Sequence, residues 1–170
     1  VLAGDNRAAL SVALACDARF IRAEGFVFSS IADEGLFDEA DAGPLLRYRR
    51  QIDAEHIAIL ADIQKKHSSH AITADCDTWD HASAADYCLA DGIVITGKTT
   101  GTSVQTEELE SARKAVDLPI CIGSGVTPSS APALFKHADA LIIGSALKSD
   151  GDWRNDMQPD LLDRFADVRP

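Results

Sequence analysis

Leu118-Pro119-Ile120-Cys121-Ile122-Gly123-Ser124-Gly125-Val126-Thr127-Pro128 and, soon after, Ala140-Leu141-Ile142-Ile143-Gly144-Ser145 each carry an unbroken apolar run into a Gly-Ser step. Apolar residues without alternation predict a strand buried on both faces, as a parallel α/β sheet demands. A glycine-rich turn straight after such a strand lets backbone N–H groups close around a small anion, because no Cβ holds the ligand away. Thr127 and Pro128 are expected to open the next helix as N-cap and first-turn residues, adding a positive dipole end. Two such turns in succession match the phosphate cradle built by the last two strand-to-helix loops of a (β/α)8 barrel. Gly123, Ser124, Gly125, Gly144 and Ser145 are therefore the expected phosphate-binding residues. The duller alternative is that the glycines only make tight turns.

Outward from that stretch, strand and helix alternate along the whole chain. Strands are expected at 1–2, 20–23, 56–62 and 92–97, besides the two already quoted. Helices are expected near 7–15, 45–52, 81–89, 107–116, 129–136 and 159–168, with a long loop from the second strand to about residue 39. Arg47, Arg49 and Arg50 are read as a solvated face or as partners of nearby acids. This rhythm is the α/β signature, and it gives about six βα units in one domain over residues 1–170. A closed barrel takes roughly 250 residues, and 200 at the least. Since Val1 begins mid-pattern and is not Met, the expected fold is an incomplete (β/α)8 barrel of the α/β class, with its first two βα units absent.

The chain has 170 residues, 27 acids against 16 Lys and Arg, and a net charge of −11. That balance argues against binding nucleic acid or an anionic membrane, though a local cradle can still be positive. No run approaches the roughly 20 apolar residues of a membrane span, and no basic leader is visible. Cys16, Cys76, Cys88 and Cys121 show no paired spacing, so free thiols in a reducing compartment, cytoplasm or organellar matrix, are expected. No cofactor is expected.

In a parallel α/β fold, ligands meet the carboxyl ends of the strands. There the sequence places Arg22 and Glu24, which alternate and so share a face, then Asp62 followed by Lys65, Lys66, His67 and His70. Asn6, Thr96 and Gly97 are expected to line the substrate pocket. Glu24 or Asp62 would take a proton, Lys66 or His67 would give one or hold an anion, and Arg22 would serve the same catalytic group. Asp62, His67 and Asp75 offer an alternative metal-dependent hydrolase, with His70, Asp77 and His81 nearby, although no third ligand has zinc-like spacing. Trp153 is expected to pack over the barrel end or, with Asn155, to wall a pocket.

The segments Phe20-Ile21-Arg22-Ala23-Glu24-Gly25-Phe26-Val27-Phe28, Ala32-Asp33-Glu34-Gly35-Leu36, Leu45-Leu46-Arg47-Tyr48-Arg49-Arg50, Asp62-Ile63-Gln64-Lys65-Lys66-His67-Ser68-Ser69-His70-Ala71-Ile72-Thr73-Ala74-Asp75 and Ile122-Gly123-Ser124-Gly125-Val126-Thr127 resemble one family. It is the BtpA family, named for a cyanobacterial factor needed for photosystem I accumulation, and the resemblance covers essentially the whole chain. It implies a (β/α)8 barrel with about two further βα units ahead of Val1, and hence open sheet edges and self-association, a homo-oligomer, for this chain alone. The family motifs also fall on Asp33, Glu34 and Gly35, and the chain departs from them at Gln64-Lys65 and Lys98-Thr99. The resemblance implies no settled reaction. The leading expectation is a small-molecule enzyme that binds a phosphorylated metabolite and performs lyase, isomerase or transferase chemistry. The alternative is a non-catalytic assembly or stability factor, favoured by the apolar stretch Phe26, Val27, Phe28, Ile31, Leu36 and Phe37.

Overall fold

The computed structural model describes residues 1, 4–33, 35–97, 102–166 and 168. Leu2 of the expected first strand, Glu34, and residues 98–100 lie outside the described residues. In chain order the elements are α1 (Asn6–Ala15), β1 (Phe20–Ala23), β2 (Ser30–Ala32), β3 (Gly35–Phe37), α2 (Ala42–Gln51), β4 (Ala58–Ile63) and β5 (Ser68–Ser69). Then come α3 (Thr78–Tyr87), β6 (Gly92–Ile95), α4 (Thr106–Ala115), β7 (Ile120–Ile122), α5 (Ala131–Leu134), β8 (Ala140–Leu141) and α6 (Pro159–Ala166).

Five strands form one parallel sheet in the order β1-β4-β6-β7-β8, so each strand pairs with the next one reached through a helix. This curled half of a (β/α) barrel follows from the apolar runs. Ile59, Ile93, Ile120 and Ile122 are fully buried, and every residue of β6 and β7 is buried, as all-apolar strands covered on both faces require. Leu10, Leu45 and Leu109 pack the helices onto the sheet. At a transfer value of about 25 cal/mol per Å² such side chains contribute roughly 1.5–3 kcal/mol each.

The amino ends of the strands are tied down twice in the same way. Asp91, just ahead of β6, accepts from Ile59 N and from Arg49 of α2, while Arg49 also donates to Ile57 O. Asp139, just ahead of β8, accepts from Ile120 N and from Arg113 of α4, which also donates to Leu118 O. Arg49 is thus an ion-pair partner and no part of a freely solvated face.

Three expectations change. The stretch 26–39 is no simple loop: β2 pairs with β3 and with β5 in a small antiparallel sheet. Phe26 and Val27 turn into the core, while Ile31 and Leu36 face each other across the ladder, both exposed. The third large helix starts earlier, at Thr78, because Asp77 and Asp80 form a reciprocal capping box. The helix after Thr127 is one turn long, with Ser130 at its N-cap. Thr127 instead closes a tight turn in which its own N–H donates to Ser130 Oγ, so Thr127 and Pro128 bring no extended helix dipole.

Candidate functional site

The two glycine turns come together at the carboxyl ends of β7 and β8. With Arg22 and Lys66 they enclose a cavity of about 460 Å³, also walled by Val126, Ile142, Ala146, Lys148 and Trp153. Gly123, Ser124, Gly125, Gly144 and Ser145 all line it. Among the described residues, the backbone N–H groups of Ser124, Gly125, Gly144 and Ser145 have no acceptor within the chain. Among the described residues, Arg22, Lys66 and Lys148 bring three cations to this cavity, and no Asp or Glu lines it.

The turns are built differently. Gly125 has a φ of 68°, and a Cβ there would lie 2.5 Å from the backbone N of Ser103. Only glycine allows that turn and that approach together. The Ser124 hydroxyl accepts from Gly97 N at 2.7 Å and donates to Thr102 O at 3.0 Å. It ties two loops together, the β6–α4 connection at two points and its own turn, and is spent on architecture. Gly144 differs: a Cβ added to it meets nothing within 4 Å. Packing does not demand a glycine there.

Arg22 connects the cavity to a buried acid. Its Nε donates to Asp62 Oδ2 at 2.7 Å and its Nη2 lies 2.7 Å from the same atom, so one carboxylate oxygen takes both contacts. Arg22 Nη1 lies against Gly123, 3.4 Å from where a Cβ would stand. Asp62 Oδ1 is buried without a hydrogen-bond partner. Burial pushes the Asp62 carboxyl up to about 6, against the pull of Arg22 and aided by nearby Glu24. Lys65 Nζ pairs with Glu24 Oε2 at 2.9 Å. Burial and then Arg22 hold the Lys66 ammonium below its ordinary range, while its backbone N–H donates to Thr96 Oγ1.

The predicted catalytic set therefore divides. Arg22 and Lys66 reach the glycine cavity. Glu24 and Asp62 line a narrow crevice beside it, about 20 Å³, together with Lys65, His70 and His81. His67 lines neither: it is exposed, on left-handed backbone (φ 58°). Asn6 is buried and donates to Glu24 O and Asp41 Oδ2, which fixes the β1 exit. Thr96 and Gly97 face a second space of about 650 Å³ on the far side of Lys66. None of the three lines the glycine cavity, because their polar groups tie loops to one another. Among the described residues no group of three or more His, Cys, Asp or Glu comes together to hold a metal ion, and Asp75 is exposed. His81 packs on Phe28 with ring centroids 4.5 Å apart, and burial lowers its pKa. The sequence reading passed over Lys148 and Ile142. Their signal is proximity: both lie within four residues of Gly144 or Ser145.

Comparison with known proteins bears on the family and the fold. The model of a family described as the BtpA family matches residues 1–169. An uncharacterized mitochondrial protein of Caenorhabditis elegans is 44% identical over 165 residues, covering 97% of this chain and 59% of its own length. The photosystem I biogenesis protein of a Synechocystis species is 34% identical over 174 residues, covering 99% of this chain and 58% of its own. The chain thus spans less than two thirds of these relatives. Among solved structures, a 3-hexulose-6-phosphate synthase superimposes with a TM-score of 0.63 at 13% identity, over 98% of this chain and 69% of that one. Its likeness supports the (β/α) barrel fold. No helix among the described residues is long and apolar enough to cross a membrane.

Proposed function

The chain belongs to the BtpA family, and we propose that it forms the phosphate-binding side of a barrel enzyme acting on a phosphorylated small molecule. One observation carries this reading. A protein with 27 acids and 16 Lys and Arg gathers, among the described residues, three cations and no acid around a cavity whose floor is two glycine turns. A random draw of side chains from so acidic a surface would place carboxylates there. Their exclusion, with free N–H groups on both turns, suits a dianion. The solved fold it resembles is likewise named for a sugar phosphate.

In this reading the turns and Arg22 hold the phosphate, and Lys66 is the acid–base residue that meets the substrate. Its lowered pKa brings Nζ closer to exchanging a proton near neutral pH. Asp62 and Glu24 act through Arg22 and Lys65, setting how much positive charge reaches the cavity. The reaction then belongs to the proton-transfer classes: isomerisation, aldol-type cleavage or group transfer.

The test is thermal stability of the full chain with inorganic phosphate or sulfate. At about 100 times the dissociation constant, a bound anion raises stability by roughly 2.7 kcal/mol. Gly144→Asp should abolish the shift and leave the unliganded stability unchanged, since its side chain enters open space. Gly125→Asp is the wrong probe, because it would strike the Ser103 backbone. No shift with either anion overturns the proposal.

A second reading has its own observation. Ile31 and Leu36 form an exposed apolar pair on a small sheet whose outer strand is β3. This suits a protein contact, as in a non-catalytic assembly or stability factor. Ile31→Lys with Leu36→Lys would then remove self-association or partner binding and leave the anion shift intact.

A further inference from the structure

We propose, resting on the phosphate reading above, that the cavity takes a phosphate ester of a flat, unsaturated ring, with the ring lying on Trp153. The argument begins with size. A water occupies about 30 Å³ of liquid, so about 460 Å³ equals roughly fifteen waters. A phosphate group has five heavy atoms. Most of the space is left for what the phosphate is attached to.

The walls say what that part is. Beyond the glycine turns and the cations, the lining is carbon: Val126, Ile142, Ala146 and Trp153. Hydroxyl side chains that might read a sugar are few: two of the three in the lining are already engaged, and the third, Ser145, stands on the phosphate turn itself. Ser124 Oγ is used by Gly97 and Thr102, and Thr127 Oγ1 by Ser129 and Ser130. A polyhydroxylated chain placed there would lose its water partners and gain few in return. A flat ring would lose little.

Trp153 is the feature that needs a reason. Its side chain lines the cavity while remaining 66% exposed. It is held in place from both sides. Gly151 turns with φ 69°, Asp152 accepts from Arg154 at both carboxylate oxygens, and Asn155 Nδ2 donates to Ser149 O. Behind it, Gln158 N donates to Leu147 O and Lys148 bridges Met157. An indole on a braced loop, open to solvent beside three cations, is a ready surface for stacking. Lys148, three residues after Ser145, adds positive charge between the phosphate turn and the ring surface.

The experiment compares inorganic phosphate, methyl phosphate, phenyl phosphate and ribose 5-phosphate by titration calorimetry on the full chain. A Trp79→Phe variant, which leaves Trp153 as the only tryptophan, reports contact with the ring by fluorescence. The expected result is that phenyl phosphate binds about five- to tenfold tighter than methyl phosphate and quenches Trp153, which methyl phosphate does not. Trp153→Ala should erase that preference and leave the affinity for inorganic phosphate unchanged. Trp153→Phe should keep most of the preference. Equal binding of methyl and phenyl phosphate, or tighter binding of ribose 5-phosphate, overturns the proposal while the phosphate reading stands. So does equal weakening of every compound by Trp153→Ala, which would make the indole a brace for the loop. Failure of inorganic phosphate to bind removes the phosphate reading itself and this inference with it.

Discussion

The Arg22–Asp62 and Arg113–Asp139 pairs use the same two residue types at opposite ends of one sheet. Asp139 sits below, at the amino ends of β7 and β8, and accepts from Ile120 N as well as from Arg113. First the backbone N–H and then the guanidinium hold its carboxyl below the usual carboxylate range. Asp62 sits above, at the carboxyl end of β4. Among the described residues no backbone N–H donates to it, its side chain is fully buried, and one of its oxygens is unpartnered. There burial outweighs the guanidinium and the carboxyl rises to about 6. An ion pair is therefore not a fixed quantity of stability. At the lower end it finishes a hydrogen-bond network, and at the upper end it holds a charge in tension beside the glycine cavity. This is the division expected of barrels, with stability below and chemistry above.

The largest expected effect is on pH-dependent stability. A carboxyl raised from 3.8 to about 6 in the folded chain binds more protons there than in the unfolded chain across that interval. Stability contributed by Asp62 is thus fully present below about pH 4 and is lost as pH rises through 6. The two-unit interval corresponds to about 3 kcal/mol. In urea unfolding, Asp62→Asn should gain on the native chain by that amount between pH 4 and pH 7. A constant difference between the two proteins would mean that Asp62 is held as firmly as Asp139, and the contrast between the ends would vanish.

A smaller effect is expected from the lower end. Asp91→Asn and Asp139→Asn each weaken a tie between a helix and two strands, one partner of which is a backbone amide. These pairs are partly exposed, so roughly 0.5–1 kcal/mol each is expected after solvent screening. The double variant should lose about the sum, because the two ties share no residue. Sulfate binding should not change. A loss of binding would show that the lower ties position the upper loops.

How much of this contrast can be read in the chain itself depends on range. The buried strands are legible because Gly92-Ile93-Val94-Ile95 and Ile120-Cys121-Ile122 leave no alternation to interpret. The glycine turns follow from the same stretch. The ion pairs are not legible: Arg49 finds Asp91 42 residues away, and Arg113 finds Asp139 26 residues away. Nor is the split between Lys66 and His67. Both follow β4, yet only Lys66 lines the glycine cavity, and the backbone is left-handed at Gln64 (φ 47°) and His67 (φ 58°). Positive φ is uncommon outside glycine, and the modest enrichment of histidine there is too weak a sign to read at His67. Residues 26–39 mislead for another reason, since their pairing partner β5 lies more than thirty positions downstream of β2.

Anion affinity should show the tension at the upper end directly. Sulfate keeps its charge across the range, so it reports the protein alone. As pH falls from 7 to 5, Asp62 takes a proton and Arg22 is released toward the cavity. Glu24, Lys65 and Lys66 surround the same pair. Affinity should rise roughly fivefold, a change of about 1 kcal/mol. Asp62→Asn should hold the higher affinity at every pH. A rise of the same size in Asp62→Asn would assign the effect to the falling net negative charge of the whole chain.

The smallest expected effect completes the comparison by its sign. The folded carboxyl of Asp139 lies below its unfolded value of 3.8. Its contribution is therefore present above about pH 4 and is lost as pH falls through the folded value, the reverse of Asp62. Because its side chain is 53% exposed, the effect should stay under about 1 kcal/mol. Unfolding of Asp139→Asn and the native chain should converge below pH 4 and separate above it, with the native chain the more stable. Adding 1 M salt should shrink that separation, since exposed pairs are screened, and leave the opposite slope from buried Asp62 nearly intact. Equal sensitivity of both slopes to salt would mean that water reaches Asp62 as freely as Asp139, and burial would no longer explain why one pair resists ionisation and the other favours it.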